Sequence, residues 1–126
     1  MARLLNLIPK LTNPRPTIEL TGCGNLLCYE KCGGRWFRSS ESVVESDLMA
    51  LQELYDTEYF VSVGDLHDSL GITTTMKDLD FGWSKLTHGD ITLMDTQMYK
   101  DGFMDIQDEP VLVIYPTELP VRDYCG

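Results

Sequence analysis

Cys23, Cys28 and Cys32 fall at the spacing C-x4-C-x3-C, and Cys125 stands near the far end of the chain. Three thiols on a glycine-rich segment, joined by Cys125 or a histidine, could supply the four soft ligands of a tetrahedral zinc site. The paired C-x2-C knuckles of zinc ribbons are absent, however, and an iron–sulfur cluster would need the same thiolates. A disulfide among them is the other alternative. The reading favoured by spacing is free thiols in a reducing compartment, with no metal and no cofactor. His67 and His88 are the only histidines. His67 sits between Leu66 and Leu70 and reads as a partly buried packing residue, while His88 lies in the turn-like Thr87-His88-Gly89-Asp90. No Gly-x-Ser-x-Gly elbow supports a hydrolase, and Thr21-Gly22-Cys23-Gly24 lacks the Lys-Ser/Thr ending of a phosphate loop. Asp101, Asp105, Asp108 and Glu109 depart from the spacing of a calcium loop. No catalytic constellation emerges, and the expectation is a protein that is not an enzyme.

The elements that must position these residues are written in the hydrophobic pattern. Leu26-Leu27-Cys28-Tyr29 and Arg35-Trp36-Phe37-Arg38 flank Lys31-Cys32-Gly33-Gly34, which predicts a β-hairpin. In that register Tyr29 and Trp36 pair across the strands. Ile18 and Leu20 suit a short first strand. Val44, Leu48, Leu51 and Tyr55 form one stripe of an amphipathic helix over about residues 41–56, with Ser42 and Glu45 at capping-box spacing. Ser62 and Asp65 repeat that spacing before a shorter helix carrying Val63, Leu66, His67 and Leu70, ended by Gly71. Tyr59-Phe60-Val61 reads as a connector. Asp80-Phe81-Gly82-Trp83 reads as a loop anchored by its aromatics. Residues 91–104 alternate, and Val111–Tyr115, fenced by Pro110 and Pro116, reads as a buried strand. Hairpin, two helices, then strands predict an α+β domain with one mainly antiparallel sheet over residues 21–126. Pro9, Pro14 and Pro16 make residues 1–20 an extended arm.

The chain has 126 residues, 43 % of them apolar, and a net charge of −10. That charge is unevenly spread. Residues 1–38 hold six of the ten basic residues against two acidic ones, whereas the remainder holds four basic and eighteen acidic. Such a body repels nucleic acid at long range, so direct nucleic-acid binding is not expected. No apolar run approaches the roughly 20 residues that span a bilayer. The opening Met1–Ile8 stretch is cut short by Pro9 and Lys10, so neither a secretory signal nor a membrane role is expected. Candidate partner-binding residues are Arg3, Lys10 and Arg15 on the arm, and Arg35, Trp36 and Arg38 on the hairpin. The expected partners are proteins, or a second copy of this chain.

With these motifs in place, the chain resembles a family of uncharacterised bacteriophage proteins that share a domain of unknown function. The resemblance rests on Thr21-Gly22 leading into Leu27-Cys28-Tyr29-Glu30, then Gly34-Arg35-Trp36-Phe37-Arg38-Ser39. It continues through Val61-Ser62-Val63-Gly64-Asp65, Leu70-Gly71-Ile72, Gly82-Trp83, Gly89-Asp90-Ile91 and Pro110–Ile114. It implies a phage origin, with the host cytoplasm or the virion as location and phage structural proteins or a host protein as partners. It implies no activity. The expectation is a non-enzymatic interaction or virion-associated module. The alternative is an anti-defence protein whose acidic surface inhibits a host nuclease or immune sensor.

Overall fold

The structure, a computed structural model, describes residues 17–124. Arg3, Lys10, Arg15 and Cys125 therefore lie outside the described residues. The chain runs β1 (Ile18–Leu20), β2 (Leu26–Glu30), β3 (Arg35–Ser39), α1 (Glu41–Glu58), β4 (Phe60–Ser62) and α2 (Val63–Leu70). A 3-10 turn (Met76–Asp80), β5 (Phe81–Ser84), α3 (Lys85–His88) and β6 (Met94–Tyr99) follow. The chain closes with β7 (Gly102–Phe103), β8 (Ile106–Gln107), β9 (Val111–Pro116) and β10 (Val121–Arg122).

The class is α+β. The strands form three sheets where the sequence led us to expect one: a five-stranded sheet ordered β1-β3-β2-β9-β6, a three-stranded sheet β10-β5-β4 and the small β7-β8 ribbon. Two of the joins in the large sheet, β1 with β3 and β2 with β9, are parallel. The parallel partner explains why Val111-Leu112-Val113-Ile114 is apolar without alternation. A central strand covered on both faces has no polar side to show.

Alternation along β2 and β3 assigns each side chain to a layer. Cys28 and Glu30, with Phe37 and Arg35 opposite them, face the helices. There the stripe Val44, Leu51 and Tyr55 of α1 meets Leu66 and Leu70 of α2 in one buried cluster. Leu27, Trp36, Val111 and Val113 face the other way. On that side Tyr29 pairs with Trp36 in register, ring centroids 4.6 Å apart, as expected. Phe103 from the ribbon extends the stack to Tyr29 and Tyr99 at 5.6 and 4.7 Å. The ribbon is thus a cover for the outer face of the sheet.

Several local boundaries differ from the sequence reading for identifiable reasons. Helix α1 begins after Ser40, whose hydroxyl accepts from the Val43 amide, so Ser40 and not Ser42 is its cap. The helix runs two residues beyond 56 and closes on Tyr59, held in the left-handed region at φ 73°. The Ser62–Asp65 box caps α2 as expected, and Gly71 ends it at φ 77°. Phe60–Ser62 and Phe81–Ser84 are paired strands rather than connector and loop: Val61 opposes the fully buried Trp83, whose indole N–H donates to the Glu118 carbonyl at 2.8 Å. Strands of three and four residues are too short for period-2 patterning to stand out. Ile18–Leu20 belongs to the sheet, so the first twenty residues are not all arm.

Trp36 is only 8 % exposed, although its neighbours suggested a binding edge. Trp36→Ala should lower stability by about 3–5 kcal/mol, as for other buried aromatics truncated to alanine. Urea unfolding followed by circular dichroism measures it.

Candidate functional site

The last residue of β2 is Glu30, and strand alternation turns its carboxylate inward, where it has no exposed surface. A buried carboxylate must be compensated. The hairpin turn does part of this. The amides of Cys32 and Gly33 both donate to Glu30, the latter at 2.9 Å to Oε1, so the side chain organises the turn that follows it. His67 does the rest. Its fully buried ring reaches Glu30 Oε1 through Nε2 and Asp78 Oδ2 through Nδ1 at 3.1 Å.

The chain of contacts runs on. Arg35 lies 3.7 Å from Asp78 and 2.6 Å from Glu19. Glu19 in turn accepts from the amide and hydroxyl of Thr73 at 2.8 and 2.7 Å. Glu19, Glu30, Arg35, His67 and Asp78 thereby link β1, β2, β3, α2 and the 3-10 turn. Both ring nitrogens of His67 face carboxylate oxygens, and a neutral imidazole can donate from only one. His67 thereby ties Glu30 of the hairpin strand to Asp78 of the 3-10 turn. Burial would raise the Asp78 pKa, but hydrogen bonds from Thr75 and the neighbouring His67 charge outweigh it and hold the carboxyl below its usual range. Glu19 is likewise lowered: desolvation opposes the shift, and the Thr73 hydrogen bonds with the Arg35 charge overcome it.

Above this network the hairpin turn, the 3-10 turn and the segments after β9 enclose a cleft of about 600 Å³. Gly33 forms its floor, and a β-carbon there would stand 2.7 Å from the His67 ring. The glycine is required by close approach rather than by its φ. Cys32 and Asp78 also reach the cleft from the network side.

The residues singled out from sequence are dispersed. Cys23 is exposed, Cys28 is buried in the helix-facing core and Cys32 is half-buried; all three are free thiols. Burial pushes the Cys28 thiol up to about 12, and burial beside Glu30 raises Cys32 further. Among the described residues no three His, Cys, Asp or Glu side chains are grouped to hold a metal ion. His88 Nδ1 accepts from the Ser84 amide at 3.4 Å, and its Nε2 lies 3.0 Å from the Leu119 carbonyl in the segment after β9. Arg38 is paired with Glu109 and bonds the Asn25 carbonyl. Arg35 and Arg38 are thus both ion-paired and Trp36 is buried. Asp78 carried no sequence signal beyond its charge. An inward-alternating Glu one residue before a glycine turn was the one available hint of Glu30.

No protein-family model, no curated protein and no solved structure matches this chain.

His67→Ala leaves Glu30 buried without its partner and should cost about 3–5 kcal/mol. Because the two groups share one network, a cycle with Glu30→Gln should show a coupling of about 0.5–3 kcal/mol. Additive losses in denaturant titrations would rule that out. Acid should weaken the fold in a defined window. Asp78 and Glu19 bind their protons less readily folded than unfolded. Their stabilisation is thus complete above their ordinary values, 3.8 and 4.5, and is lost as pH falls through the lower native ones. Urea midpoints should fall steeply below about pH 4.5, and Asp78→Asn should flatten that dependence.

Proposed function

We propose that this chain is a non-enzymatic bacteriophage protein acting as a protein–protein interaction or virion-associated structural module. The phage setting comes from the resemblance carried by residues 21–115. The observation that carries the interaction reading is a groove between α1 and β6.

Helix α1 holds Glu41, Glu45, Asp47, Glu53, Asp56 and Glu58 and no basic residue. Its buried stripe leaves Glu45, Met49 and Gln52 along one flank, and these face Met94 and Asp95 of β6 across a groove of about 370 Å³. Met49 is 73 % exposed there. Strand β6 is an edge of the large sheet, with β9 as its single partner among the described residues. An edge strand beside an apolar groove rimmed with carboxylates suits an extended segment bearing basic and aliphatic side chains. A structural neighbour in a particle could offer such a segment. So could the arm of a second copy, in which Arg3, Lys10 and Arg15 alternate with Leu4, Leu5, Leu7, Ile8 and Leu11.

The second reading is an anti-defence protein that binds a host nuclease or immune sensor, and the same acidic face supports it. Among the described residues no helix is long and apolar enough to cross a membrane.

Mass spectrometry of purified virions, with a time course of infected-cell lysate, separates the two. The first reading expects the chain in particles and its loss from them in a Glu45→Lys/Met49→Lys variant. Confinement to early lysate, with salt-sensitive capture of a basic host protein, would move the assignment to the second. Particles that keep the variant at parental levels would overturn the groove's role.

A further inference from the structure

The described residues include seven lysines and arginines, and three of them are already engaged. Arg35, Arg38 and Lys85 are held by carboxylates. Lys31 and Lys77 have no carboxylate within ion-pair distance among the described residues, and both line the cleft above the His67 network. Lys31 comes from the hairpin turn and Lys77 from the 3-10 turn. Arg122 adds a third cation at the rim, its guanidinium 4.9 Å from the centroid of Phe81, which is itself a lining residue. In a chain of net charge −10, this gathering of unneutralised cations is the reverse of the surrounding surface.

The remaining walls are apolar. Val63, Phe81, Tyr115, Leu119 and Pro120 line them. The Tyr115 hydroxyl is directed to Asp95 at 3.3 Å. The one carboxylate in the lining is Asp78, and it is already matched by His67 and Arg35. The volume falls within the range of about 300–1,000 Å³ typical of small-molecule sites. Low-dielectric walls beneath two free ammonium groups concentrate positive potential, which an acidic exterior does not cancel inside the cleft.

We infer that this cleft binds a small organic anion. The flat or apolar body of the ligand packs on the Phe81–Tyr115–Leu119 wall, and its terminal phosphate or carboxylate lies between Lys31 and Lys77. The network beneath fixes the geometry. His67 packs against Gly33 in the turn bearing Lys31 and is bonded to Asp78, the residue after Lys77. The inference uses residues separate from the groove between α1 and β6, so either can fail alone.

Titration of the full chain with adenosine 5′-monophosphate and with 2-naphthoate, followed by amide NMR shifts, tests it. Saturable shifts at Lys31, Gly33, Lys77 and Phe81 are expected with at least one probe, and the probe that binds identifies phosphate or carboxylate as the anion. Adenosine and inorganic phosphate alone should bind at least about tenfold more weakly, since each supplies half of the recognition. Lys31→Gln and Lys77→Gln should each weaken binding about tenfold at unchanged thermal midpoint, as expected for loss of one charged hydrogen bond. Lys100→Gln, in the turn between β6 and β7, and Glu45→Lys/Met49→Lys should leave it unaltered. The inference is overturned if neither probe saturates, if the shifts map outside the cleft, or if Lys100→Gln weakens binding as much as the cleft variants do.

Discussion

A carboxylate with no exposed surface sits at the end of the central hairpin strand, and the fold is arranged to compensate it. Glu30 costs several kcal/mol to desolvate unless it is fully met. Its partners are two amides of the next turn and one imidazole from a helix far along the sequence. Meeting that requirement fixes the turn, the height of α2 above the sheet and, through Asp78 and Arg35, the 3-10 turn and the edge strand β1. Replacing the whole set with apolar groups of the same shape need not weaken such a protein, whereas removing one member must. The network is thus better understood as fixing position than as a reserve of stability.

What could be read in the sequence follows from how local each signal is. The hairpin, the α1 stripe, the Ser62–Asp65 box and the run 111–115 each rest on residues within a turn or two, and they stand where expected. The Tyr29–Trp36 pair followed from turn length alone. The division into three sheets depends instead on strands of two to four residues, and on a parallel join between β2 and β9 from opposite ends of the chain. Nothing near Leu27 indicates Val111. His67 was read as packing because Leu66 and Leu70 flank it. Its burial agrees, but the two carboxylates that receive its nitrogens come from remote segments and leave no periodic trace. The cysteines illustrate the converse, since a suggestive spacing leaves Cys23 exposed in a bend, Cys28 buried in β2 and Cys32 in the hairpin turn.

Charge is sorted on a larger scale by the same folding. Carboxylates outnumber cations two to one, and the structure uses three of the seven described cations, Arg35, Arg38 and Lys85, to hold its own segments. Arg35 and Arg38, attractive as a recognition edge in one dimension, are consumed in this way. Lys31, Lys77 and Arg122, left over from these pairings, lie at or beside the cleft, while α1 carries six acidic residues and no basic one. One domain thus carries a cleft lined by unpaired lysines and a helix whose charges are all acidic.

The parallel join of β2 with β9 also has a consequence during synthesis. The hairpin is complete once Ser39 has been made, yet its central strand keeps an open edge until Val111–Pro116 emerges. Until then neither face of the sheet is closed, Lys31 has no Ile114 carbonyl to bond, and Glu30 has no sealed interior to enter. Non-local pairing of this kind is slow and late. A ribosome must deliver the chain through β9 before the large sheet can close, so a chain interrupted before β9 would be left with an unpaired strand edge exposed to aggregation.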